Sequence, residues 1–132
     1  MKKLLILLFS LLIPFNSYGE WVHLGDGADE GVNKGFSFYL DNATIKKHDG
    51  FVYYWTLTDA LVPTEFGDLS WKTYYQGDCD VNRYKTLGSY WYTQSMGKGP
   101  MSDQNTDLTE WKYTVPESVT YYELTYACLL AE

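Results

Sequence analysis

Residues Phe51–Asp59 read FVYYWTLTD, and no other stretch of the chain restricts the fold as much. Phe51, Tyr53, Trp55 and Leu57 alternate with Val52, Tyr54, Thr56 and Thr58, the period of a strand with two unlike faces. Nearly every residue is aromatic or β-branched, a composition that suits a pleated surface and loses side-chain freedom in a helix. Asp49-Gly50 immediately precedes it and signals a hairpin, because glycine takes positive φ without steric cost. The more apolar set predicts that Phe51, Tyr53, Trp55 and Leu57 face the core. Trp55 is then a core residue and Tyr54 points away from it.

The same period recurs along the chain. Trp21-Val22-His23-Leu24 predicts a short first strand, ending in a flexible acidic loop over residues 25–31. Phe36–Leu40 alternates again, and Ile45–His48 leads into the Asp49-Gly50 turn. Pro63 has no N–H for a sheet ladder, so residues 61–67 read as loop. Leu69–Gly77 and Arg83–Tyr92 form a second predicted hairpin around Asp80-Val81-Asn82. A turn symmetric about Val81 sets Trp71 opposite Trp91 and Tyr75 opposite Leu87. It also puts Arg83 and Lys85 on the core face with Cys79, unless a bulge near Gly88 breaks the register. Residues 95–107, SMGKGPMSDQNTD, read as a long polar loop, and Trp111–Val115 as one more strand. The C-terminal segment fits both periods: Tyr122, Leu124 and Tyr126 alternate, whereas Val119, Tyr122, Tyr126 and Leu129 have helical spacing. Pro116 and Glu117 suit a first helical turn and the Ala-Cys-Leu-Leu-Ala ending favours helix, so a helix is expected.

Residues 1–19 read as a secretory signal peptide. Lys2 and Lys3 form a positive start, LLILLFSLLIPF is a short apolar run, and Ser17 and Gly19 put small residues at the −3 and −1 positions of a cut. The run is too short to span a bilayer and contains Pro14. No Cys adjoins the cut, so no lipid attachment point or transmembrane anchor is expected in the mature chain. The domain is expected over residues 20–132, exported to the periplasm, the cell surface or the medium. Losing Lys2 and Lys3 leaves 8 basic residues against 17 acidic ones, a net charge of −9. Such a chain repels phosphate backbones and anionic membranes, so nucleic acid is not an expected partner. Cys79 and Cys128 both lie in the exported part, where an even count suggests a bridge; two buried free thiols are the alternative.

Catalytic and metal patterns are missing from the sequence. His23 and His48 stand in no zinc spacing, and no GxSxG, phosphate loop or dinucleotide fingerprint occurs. Asp26, Asp29 and Glu30 lack the spacing of a calcium loop. The expectation is a non-enzyme with no cofactor and no metal. The compositional excess is aromatic: 13 Tyr, 5 Trp and 6 Phe. Alternation sets Tyr39, Tyr54, Tyr74, Tyr90 and Tyr92 opposite the expected core face. Tyr54, Tyr74, Tyr90 and Tyr92 are therefore the candidate binding residues, with Tyr54 and Tyr74 as mid-strand anchors. A covered second face is the competing explanation of the tyrosines. Three functions follow: an exported interaction domain, a periplasmic carbohydrate- or small-ligand-binding module, and a hydrolase using Asp59, Glu65 and Asp68. The first is preferred and the second is its alternative.

An ordered series of short motifs carries a family resemblance. It comprises Tyr39-Leu40-Asp41, Ile45-Lys46-Lys47, Val52–Asp59, Tyr74-Tyr75, Cys79-Asp80, Arg83–Leu87, Trp111, Pro116-Glu117-Ser118 and Cys128. Over residues 21–130 the chain resembles the bacterial surface-adhesin protein E-like domain family. The resemblance implies an α+β fold: an antiparallel sheet of about six strands with a C-terminal helix packed on it and linked by a Cys79–Cys128 disulfide. It also implies protein binding, since the founding adhesin binds host extracellular-matrix proteins such as laminin and vitronectin.

Overall fold

The structure, a computed structural model, describes residues 21–29 and 34–131. The expected signal peptide and residues 30–31 of the expected acidic loop lie outside the described residues. The strands are β1 (Trp21–Asp29), β2 (Lys34–Asp41), β3 (Lys46–His48), β4 (Phe51–Ala60), β5 (Ser70–Asp78), β6 (Arg83–Tyr92), β7 (Met101–Asn105) and β8 (Lys112–Tyr113). A 3-10 turn occupies Ser95–Gly97 and one helix, α1, occupies Val119–Leu130. Six strands run in the order β1-β2-β4-β5-β6-β7, all pairs antiparallel; β3 adds to β4 and β8 to β6. FVYYWTLTD thus forms a central strand. The Asp-Gly turn before it has positive φ at both residues, the geometry this dipeptide favours in a two-residue hairpin.

Several expected boundaries move. β1 passes through Gly25 and Gly27 with a bulge at Leu24 and stays paired with β2 as far as Asp29, so the glycines lie in a strand rather than a loop. The 95–107 segment is not one loop, because β7 pairs with β6. Only Lys112 and Tyr113 of the 111–115 strand pair. In the second hairpin the ladder closes at Asp78 opposite Arg83, one residue earlier than a turn centred on Val81 requires. A bulge at Leu87 then restores the offset. Trp71 still meets Trp91, but Tyr75 meets Thr86 instead of Leu87. The bulge also moves Arg83 and Lys85 off the core face, and Arg83 Nε donates to Asp78 Oδ2 at 3.0 Å.

The helix decides which face of the sheet is the core. Ser118 caps it, accepting from the Tyr121 amide at 3.2 Å, so Pro116 and Glu117 precede it. Leu124 and Ala127 pack on Leu40, Val52 and Tyr54. Gly77 makes this possible, because a side chain there would collide with Leu124. The core face of β4 is therefore the Val52–Tyr54–Thr56 face, and the expected assignment is inverted. Tyr54 is 1% exposed beneath α1, while Trp55 is half-buried on the opposite face. The reason is the apolar contact with α1, which alternation within β4 does not reveal. α1 presents Glu123 to the sheet, 3% exposed, and its carboxyl hydrogen-bonds to Thr56. Burial pushes the Glu123 carboxyl up to about 8, the Thr56 hydrogen bond acting in the other direction. The helically spaced Val119, Tyr122, Tyr126 and Leu129 lie on the solvent side of α1.

Cys79, just beyond β5, is bonded to Cys128 near the end of α1, with 6.0 Å between Cα atoms. No helix among the described residues is long and apolar enough to cross a membrane.

Candidate functional site

The sheet face away from α1 carries the aromatic residues that the core does not use. Residues paired across an antiparallel sheet share a face, so three rows can be read from the register. Trp55 lies opposite Tyr74, and Tyr74 opposite Gly88; Leu57 lies opposite Lys72, and Lys72 opposite Tyr90; Asp59 lies opposite Ser70, and Ser70 opposite Tyr92. Along one side, β1 and β2 add Trp21 opposite Asp41.

Gly88 shapes this surface. A Cβ there would stand 3.0 Å from the Tyr90 hydroxyl and 3.1 Å from its ring. With only hydrogen at position 88, the Tyr90 ring lies back over β6, its centroid 5.7 Å from that of Trp55. Trp55 also stacks on Tyr74 at 4.6 Å, and Tyr74 on Tyr53 at 6.3 Å. Burial raises the Tyr74 phenol above its ordinary range, with the Tyr53 phenol adding to the effect.

Lys72 crosses the second row with its Nζ 5.0 Å from the Tyr92 ring centroid and 6.0 Å from that of Trp21. The 3-10 turn secures it from the other side: Gly97 packs on the Lys72 methylenes, leaving no room for a side chain. Two side chains of the face bind the turn itself. The Met96 amide donates to Asp59 Oδ1 at 2.7 Å and the Gly97 amide to Ser70 Oγ at 2.8 Å. Beneath these groups Leu57 is fully buried.

A cleft of about 350 Å³ results, with Trp55, Tyr90, Tyr92 and Trp21 as its aromatic walls and Lys72, Asp41 and Thr44 as its polar ones. Asp41 is nearly buried and held in place: Oδ1 accepts from the Ala43 amide at 3.0 Å and Oδ2 from the Thr44 hydroxyl at 2.9 Å. Further along this face Trp111 stacks on Phe51 at 5.3 Å, with the Arg83 guanidinium 4.3 Å and Lys85 Nζ 4.8 Å from its ring.

Of the four candidate tyrosines, Tyr90 and Tyr92 line the cleft and Tyr74 supports Trp55 from the adjoining position. Tyr54 is removed from the set, because it lies under α1. Trp21, Trp55, Lys72 and Gly88 were not candidates. Trp55 is expected in the core, Lys72 and Gly88 lie within the expected second hairpin without being singled out, and Trp21 joins only through the pairing of β1 with β2 and of β2 with β4. Gly88 alone left a local signal, a glycine inside a strand.

Among the described residues, Asp26, Asp59 and Asp68 each bind a neighbouring group. Asp26 Oδ1 is 2.8 Å from His23 Nε2 and accepts from Ser37 Oγ at 2.7 Å, so both groups converge on the acid and serine does not reach histidine. The Ser37 hydrogen bond, then that of His23, hold Asp26 below the usual carboxylate range. Asp59 holds the 3-10 turn, Asp68 accepts from Ser102, and Glu65 is exposed. Among the described residues no group of three His, Cys, Asp or Glu side chains is placed to hold a metal.

The sequence model of the family described as surface-adhesin protein E matches residues 21–129. The chain belongs to that family. Three solved structures of Haemophilus influenzae protein E share its fold. Crystal form II aligns with a TM-score of 0.58 at 14% identity, covering 70% of this chain and 80% of its own. The structure from a non-typeable strain gives 0.53 at 15%, covering 85% and 86%, and a further one 0.54 at 15%, covering 83% and 93%. No curated protein sequence matches the chain. At such identity the structures establish the fold alone.

Proposed function

We propose that this chain is an exported, non-catalytic interaction domain of the adhesin type, which engages a protein partner through the sheet face opposite α1. The carrying observation is the asymmetry of the sheet. One face is closed by α1, and the other presents Trp55, Tyr90, Tyr92 and Trp21 around an open cleft. Aromatic side chains supply much contact area at little entropic cost, and strands hold them rigidly. Family membership supports a surface role and a host extracellular-matrix protein as the partner class. The grouping of Asp26, His23 and Ser37 offers no nucleophile–base pair, in keeping with a protein that binds.

Capture of matrix proteins by the mature domain tests this reading. Trp55→Ala combined with Tyr90→Ala should reduce capture at least tenfold, with the circular dichroism spectrum retained. Undiminished capture by that variant, together with loss of capture on shortening residues 98–105, would move the site to β7 and overturn the proposal.

A further inference from the structure

We infer that the cleft bordered by Trp55 and Tyr90 holds one pyranose ring of a neutral glycan carried by the partner. This rests on the reading of the open sheet face as the binding face and specifies its ligand chemistry. A pyranose presents flat C–H faces, which stack on aromatic rings, and a perimeter of hydroxyls that both donate and accept. The cleft has counterparts for each. Trp55 and Tyr90 pack against each other with 5.7 Å between centroids, Tyr90 laid down over Gly88, so that together they form one aromatic platform on which a ring can stack from the open side. Around them stand an acceptor-only carboxylate (Asp41), a donor-only ammonium (Lys72) and a hydroxyl (Thr44). A ring of hydroxyls can add hydrogen bonds to the Lys72 ammonium and to the lone pairs of Asp41 that Ala43 and Thr44 do not use, which an apolar side chain of a protein partner cannot.

Size and strand order point the same way. About 350 Å³ is at the lower end of small-molecule sites, which run from about 300 to 1,000 Å³. It suits one ring entering from an open side. β4, β5 and β6, which supply Trp55, Lys72 and Tyr90, each have neighbours on both sides, so their backbone groups cannot pair with an added peptide strand. Neutrality follows from charge: the lining carries one cation, Lys72, and one carboxylate, Asp41, and the mature chain at −9 repels an acidic sugar. Asp41 is also prepositioned, by the Ala43 amide and Thr44.

The test uses the disulfide-bonded mature protein with D-glucose, D-galactose, D-mannose, N-acetylglucosamine and N-acetylgalactosamine. Saturation-transfer NMR and tryptophan fluorescence serve as readouts. At least one sugar should bind with a millimolar Kd, with strongest transfer to the protons of one ring face. Lys72→Met should weaken it at least fivefold and Trp55→Ala with Tyr90→Ala at least tenfold, while Tyr126→Ser on the outer side of α1 leaves it unchanged. If the double variant fails to fold, Lys72→Met decides alone. No binding at about 50 mM, beyond the range of weak specific complexes, or binding indifferent to Lys72→Met, overturns the inference. Should no sugar bind while matrix-protein capture still depends on Trp55 and Tyr90, the cleft is a protein contact; the sugar inference falls and the interaction reading stands. Should capture be indifferent to them as well, both fall.

Discussion

At the scale of single residues, neighbours in sequence have opposite duties. Tyr54 is enclosed by Leu40, Val52 and Leu124, whereas Trp55 is half-buried and borders the cleft. Tyr54→Ala removes a large buried ring and leaves a cavity, so it should cost roughly 3–5 kcal/mol in chemical denaturation. Trp55→Ala should cost about 1–2 kcal/mol, less than Tyr54→Ala because part of its ring already meets water. The reverse ranking would put α1 on the wrong face of the sheet. Alternation made the strand legible but not its inward side, because both faces of FVYYWTLTD are rich in aromatics. Summed apolarity chose Phe51, Tyr53, Trp55 and Leu57. The choice falls to α1, far away in sequence, whose Leu124 and Ala127 pack on Leu40, Val52 and Tyr54. Gly77 is equally silent until Leu124 is seen against it. The cleft was partly legible, since Tyr74, Tyr90 and Tyr92 follow from alternation on β5 and β6. Lys72 faces Tyr90 in the expected hairpin, whereas Trp21 joins them only through the pairing of β1 with β2 and of β2 with β4.

At the scale of elements, the contact between α1 and the sheet is sensitive to pH. Folding raises the Glu123 pKa from about 4.5 to about 8, so the unfolded chain ionises first as pH rises. Below about pH 4.5 the group is protonated in both states and its burial carries no ionisation cost. Stability falls as pH rises through the window from about 4.5 to 8, and the loss is complete above it. At pH 7 the linkage amounts to about 3 kcal/mol, from 1.36 kcal/mol per pKa unit. Glu123→Gln keeps a hydrogen-bonding group near Thr56 and removes the charge. It should stabilise the protein by roughly 2–4 kcal/mol at pH 8 and leave it nearly unchanged at pH 4. Urea midpoints at the two pH values measure this. Equal stabilisation at both would mean that Glu123 is not the titrating group. The expected helix and its disulfide hold in the structure, but its first turn begins at Val119 because Ser118 provides the cap and Glu117 has a positive φ.

At the scale of the whole molecule, stability draws on the Cys79–Cys128 bridge, which an oxidising compartment permits. The buried cluster that joins α1 to the sheet is small, comprising Leu40, Val52, Tyr54, Leu124 and Ala127. Glu123 within the same contact opposes docking at neutral pH. The Cys79–Cys128 bridge, spanning 49 residues, offsets part of this by about 4 kcal/mol in the chain-entropy model. It also fastens α1 at its C-terminal end, next to the turn between β5 and β6. A reducing compartment would withhold that contribution, so the bridge and the predicted signal peptide are two parts of one requirement. The exported protein is expected to begin at Glu20, and both cysteines should resist alkylation until it is reduced. The same residues 20–132 produced without the leader in a reducing cytoplasm should carry two alkylatable thiols and melt roughly 10–20 °C lower. N-terminal sequencing, intact mass after alkylation and thermal melts of the two preparations measure each part. An exported chain that retains Met1 would remove the signal peptide from this account. Equal melting temperatures with and without the bridge would show that α1 is held by packing alone, and dependence on export would then have no structural basis.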